Sequence, residues 1–122
     1  MTSGMYLQRL RVVKPGHLPD NYSPRGRLTL DLDQGAAVAP GEWWVECQPV
    51  SLVEDTAGGT RVHTSTSWRV ITRPGTHIPG LQATDGVLVD GIDGVLEIEG
   101  EVGVWPHPLL GHDEFTVRRC HG

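Results

Sequence analysis

The chain has 122 residues, 38% of them apolar and 6% aromatic, with four Trp and a net charge of −5. That length fits about one domain, able to bury roughly two thirds of its unfolded surface around a modest core to which the Trp side chains add much of the area. Proteins that grip phosphates along a broad face lean basic, so nine Arg and one Lys against fifteen acids disfavour direct nucleic-acid binding, though not contact with a passing duplex.

At the N-terminus, MTSGMYLQRLRVV lacks the apolar stretch and small-residue cleavage site of a secretory signal, which points to an intracellular place of synthesis. No run of about 18 apolar residues follows, so no membrane partner is expected. Cys47 and Cys120 are then expected as free thiols. Sixteen Gly and nine Pro interrupt the chain so often that helices have little room, and alternation with period two recurs where a helical stripe does not. The expected fold is all-β, a single domain over 1–122: a small barrel or sandwich of five to seven short strands with long loops.

In chain order, the Pro/Gly-rich 15–24 stretch lies in a segment, 14–40, that reads as a loop or mobile arm. Within it, RLTLDL places Leu28, Leu30 and Leu32 on one face. EWWVECQ sets Trp43, Val45 and Cys47 against Glu42, Trp44 and Glu46. SLVEDTAGGT, ending in Gly58-Gly59, reads as a long strand connection. RVHTSTSWRVITR sets Val62, Trp68 and Val70 against Arg61, His63, Arg69 and Arg73. DGVLVDGIDGVLEIEGE folds back at residues 90–94, because Asp-Gly pairs supply the positive φ of tight turns, and brings Val87 and Val89 against Leu96 and Ile98. In EFTVRR, Phe115 and Val117 oppose Glu114, Thr116 and Arg118.

No constellation carries catalytic chemistry. The six His and two Cys do not have the paired spacing of a structural zinc site and read as solvated loop residues or thiols. Asp90-Gly-Ile-Asp93-Gly does not fit a calcium loop. Cys47 sits on an apolar strand face, and no Ser lies on a nucleophile elbow. No cofactor and no enzyme activity are therefore expected. Glu97, Glu99 and Glu101 share a strand face, as do Arg61, Arg69 and Arg73; a solvated stripe is the first reading, a charged subunit interface the second, and paired acid/base catalysis by the acids a minor third. Alternation puts Trp44 among Glu42 and Glu46, and Trp105 in phase with the Glu stripe. Either a bulge at Gly100 or Gly103 turns Trp105 into the core, or Trp105 is an exposed anchor for another subunit.

Four phrases in order add a resemblance: QPVS followed by ED, then WRVITRPGT, then TD before a short hairpin, and EGEVGVWPHP before the last strand. Across about 42–119 the chain resembles the head-to-tail stopper proteins of long-tailed actinobacteriophages, within the wider head-closure group; its DGIDG turn departs from the shorter, aromatic-containing hairpin expected there. The resemblance implies a small β-barrel of the virion neck, assembled in the host cytoplasm. Such a protein forms a homo-oligomeric ring, a hexamer in preference to a dodecamer, between portal and adaptor proteins above and the tail terminator or tail tube below. It closes the channel after packaging, and double-stranded DNA passes through without sequence-specific binding. The resemblance also implies a long inter-strand loop that plugs the channel; the first candidate is 53–60, with Glu54, Asp55, Thr56, Ala57, Gly58 and Gly59, because Gly58-Gly59 gives it mobility, and the second is 15–39. The alternatives are another neck or tail component (adaptor or tail terminator), or a small β-barrel ligand-binding protein.

Overall fold

The computed structural model describes residues 6–20, 23–50, 55–56, 59–60 and 67–119. Its strands are β1 (Gln8–Lys14), β2 (Gly16–Asp20), β3 (Ser23–Thr29), β4 (Ala37–Val38), β5 (Trp43–Pro49), β6 (Asp55–Thr56), β7 (Gly59–Thr60), β8 (Ser67–Thr72), β9 (Gly86–Val89), β10 (Leu96–Trp105) and β11 (His112–Arg119). The fold is all-β. Strands pair in the order β1-β5-β8-β11-β10-β9, and β9 returns to β1, closing a six-stranded antiparallel barrel with β4 added beside β1. An even strand number lets every rung, including the closing one, be antiparallel, and closure removes most free edges.

The alternation read from the sequence sets the interior. Val45, Val70, Val87, Val89, Leu96, Ile98, Phe115 and Val117 are buried together with Leu10 and Val12, and Trp43, Cys47, Trp68 and Val102 pack against them. Closure occurs at Gly86, where a Cβ would stand 2.9–3.0 Å from Val95, Leu30 and the Leu96 carbonyl, so the rung needs a residue without a side chain.

Two buried carboxylates pin the loops. Asp113 accepts from the Ile78 N–H at 2.8 Å and pairs with His77 Nδ1 at 2.7 Å, while its own N–H donates to Thr72 Oγ1, which in turn donates to the Thr76 carbonyl. Asp85 accepts from Lys14 Nζ at 2.7 Å and from the Gln82 N–H at 2.8 Å. Both satisfy the rule that a buried charge be paired and hydrogen-bonded. The 73–85 connection is thereby tied to β11 and β1.

The segment 14–40 departs from the expectation of a loop or mobile arm. It carries the β2–β3 hairpin, registered Gly16↔Thr29 to Asp20↔Ser23, then a short 3₁₀ turn and β4. The Asp31 side chain accepts from the Asp33 N–H at 2.9 Å and caps that turn, which ends the alternation of RLTLDL. Leu28 and Leu32 are consequently exposed rather than core-facing. At Gly16, a Cβ would come within 2.5 Å of the Gly35 backbone, so the start of β2 lies hard against the turn that follows the 3₁₀ element.

Candidate interaction surface

Among the described residues, the end of β10 and the turn after it expose large apolar side chains. Between Glu99↔Thr116 and Gly103↔Glu114 the register shifts, so residues 100–102 of β10 oppose Phe115 alone. Gly100, at φ +79°, supplies the positive φ this bulge requires. Two extra residues, an even number, leave the facing of the strand unchanged. Trp105 therefore stays in phase with Glu97 and Glu99 on the outer surface and is 58% exposed. The bulge is present, but it does not rotate Trp105 into the core. Val104 shares the inward phase of Ile98 and Val102, yet it overshoots the barrel mouth and is exposed.

The following turn makes the rim a defined platform. His107 Nδ1 accepts from the N–H groups of Leu109 (3.1 Å) and Leu110 (2.9 Å), and the His107 carbonyl accepts from Gly111. Gly111 in turn accepts from the Gly75 N–H at 2.7 Å. Leu109 and Leu110 are exposed, giving with Val104 and Trp105 four exposed large apolar side chains within seven residues. Trp105 stacks on His112, with ring centroids 6.2 Å apart and planes 12° off parallel. His112 donates from Nδ1 to the Leu110 carbonyl at 3.0 Å and from Nε2 to Glu114 Oε1 at 3.0 Å. The Leu110 carbonyl first, and Glu114 second, raise the His112 pKa; the Glu114 pKa is lowered, by His112 first and then by Arg69.

Three of the six histidines expected to be solvated are thus employed: His77 on Asp113, His107 as a turn brace, and His112 under Trp105. Among the described residues, no three His, Cys, Asp or Glu side chains cluster as a metal site. Cys47 is half-buried, and that burial pushes its thiol up to about 11, the property of a packing residue rather than a nucleophile.

Part of the charge of the described stripe residues is already used within the chain. Arg69 pairs with Glu114, and Arg118 with Glu97, both across neighbouring strands of the same chain. Glu99, Glu101 and Arg73 are exposed and carry no ion pair among the described residues. Trp44 is 44% exposed, its carbonyl accepting from the Arg73 N–H at 3.0 Å. Arg61, Glu54, Ala57 and Gly58 lie outside the described residues. Of the expected channel loop, Asp55 and Thr56 pair with Thr60 and Gly59 as a two-rung ladder between β5 and β8. Sequence reasoning passed over Leu109, Leu110 and Val104; three apolar residues flanking a Pro-His-Pro stop were their signal.

A second concavity of about 450 Å³ lies between the β2–β3 hairpin and the barrel, lined by Leu18, Arg27, Leu28, Leu30, Thr84 and Ile98 among others. Comparison of the chain with protein-family models, with curated proteins and with solved structures returned no match.

Proposed function

We propose that this chain is a structural protein of a phage neck, which forms a ring between portal or adaptor and tail and closes the DNA channel after packaging. The reading starts from the sequence resemblance. The observation that carries it is that the most recognisable phrase, EGEVGVWPHP, coincides with the exposed apolar rim around Trp105. Contiguous exposed apolar side chains mark surfaces that another protein covers, and Trp is a frequent anchor of such contacts. The balance of acids over bases suits a channel through which DNA must slide without adhering. In this reading 53–60 projects into the channel from between β5 and β8, and Glu99, Glu101 and Arg73 belong to subunit contacts.

The test is a particle assembled without this protein. DNA-filled heads that leak their genome, accompanied by unattached tails and rejoined when purified protein is added, are the expected outcome. Joined, infectious particles formed in its absence would sink the reading. A map of the neck with 53–60 on the outer wall would remove the channel assignment alone.

A further inference from the structure

We propose that the free edge of β10 beyond β9 accepts β3 of a second copy of this chain, as an intermolecular strand addition that runs head-to-tail. This rests on the ring reading above and names the contact that would build the ring.

β9 covers β10 only at Leu96↔Val87 and Glu97↔Gly86, so from Ile98 onward the β9 side of β10 has no partner strand among the described residues. The direction of the backbone groups follows from β11. The Asp113 N–H donates to Thr72 on the β8 side, so Val104↔Asp113 is a pair without mutual hydrogen bonds. Val104 accordingly turns its own N–H and C=O outward, to the open edge. Edges are normally blunted by charge, Pro or a bulge. Glu99, Gly100 and Glu101 do this at the bulge and Pro106 ends the edge; between them, Val104 and Trp105 present an exposed apolar stretch.

The same chain carries a second open edge. β2 and β3 pair with each other and with no third described strand, and the start of β2 abuts the Gly35–Ala36 backbone, which leaves β3 as the accessible side. Near the end of β3, Arg27 and Leu28 are exposed at the concavity that they line together with Glu97 and Ile98 of the same chain. Arg27 complements Glu99 and Glu101, whose carboxylates have no ion pair among the described residues, and Leu28, alternating with Arg27 along the strand, offers an apolar side chain to Val104. Pairing β10 with the β10 of another copy would instead set two acidic stretches together, which cross-strand neighbours disfavour. Two different patches on one chain make a heterologous contact, the kind that closes into rings.

Sedimentation velocity of the full chain, from micromolar to millimolar concentration, tests this. Val104→Pro removes the outward N–H without touching the bonds to β11, and edge strands tolerate Pro; a thermal melt confirms that it folds. Val104→Pro and Arg27→Glu should each weaken self-association at least tenfold, and their equimolar mixture should form a one-to-one dimer, since each retains the patch the other lacks. Adding Glu99→Arg and Glu101→Arg to the Arg27→Glu chain should restore association. Val104→Pro that assembles like the parent overturns the edge, and two defective variants that give no mixed dimer overturn β3 as its occupant. A parent chain that stays monomeric throughout overturns the pairing, while the neck reading is decided separately by the particle experiment.

Discussion

His112 holds Trp105 with a ring whose hydrogen bonds require a charge. Both nitrogens donate, to Leu110 and to Glu114, and only the imidazolium can donate from both at once. Its pKa is raised above the ordinary 6.5, first by the Leu110 carbonyl, and that of Glu114 is lowered below the ordinary 4.5, first by His112. A base raised on folding stabilises fully below its unfolded value, and the contribution is lost as pH climbs through the folded one. An acid lowered on folding stabilises above its unfolded value and loses the contribution as pH falls through the folded one. The pair is thus at full strength between pH 4.5 and 6.5. His112→Gln should cost most stability in that window, at most about 1 kcal/mol because the pair is partly solvated. The penalty should shrink well above 6.5 as the parent ring loses its proton. Thermal melts of parent and variant across pH measure it; a penalty that does not change with pH means the ring is held by stacking alone.

The bulge in β10 decides what the sequence left open about Trp105. Alternation made the faces of β5, β8, β9, β10 and β11 legible, because each strand has one side in the core and the side-chain period is two. It could not reveal how many residues the bulge would insert, and parity is the whole question: one residue would turn Trp105 inward, whereas the observed two keep it outward. The β2–β3 hairpin escaped notice for a related reason. GHLPD and SPRGRLT carry Pro and Gly inside the strands, and in a sequence those residues read as turn and loop signals. The parity argument yields a sharp expectation. Deleting Gly100 and Glu101 together restores a regular ladder with the same facing and should be tolerated. Deleting Glu101 alone moves Trp105 onto the face opposite the buried Asp113 and should be worse by about 2 kcal/mol or more. Urea unfolding of the two variants compares them directly; a single deletion as stable as the double one would show that the turn at 106–111 absorbs the change of phase.

At the scale of the molecule, the barrel is closed by its most distant pairing. β10 and β11 meet across a short connection, with Ile98 opposite Val117, whereas β1 and β9 bring Val12 against Val87, 75 residues away in the chain. That closure was not legible, because alternation assigns faces and local turns assign neighbours, while the last rung depends on the accumulated twist of all six strands. Loop-closure entropy is met before a distant contact repays it, so the β1–β9 rungs are expected to form late and the β8–β11–β10 set early. Val87 and Val117 are both fully buried, so truncating either to Ala should cost a similar amount, about 2 kcal/mol. The cost should partition differently between the two rates. Val117→Ala should mainly slow folding, since its contacts belong to the early set. Val87→Ala should speed unfolding to a greater extent, since its rung to Val12 forms after the barrier and only its rung to Leu96 is local. Stopped-flow refolding and unfolding of both variants separates the cases. A Val87→Ala chain that folds as slowly as Val117→Ala would mean that the closing rungs are already made at the barrier, and that the barrel condenses as a unit rather than rolling up from β8, β11 and β10.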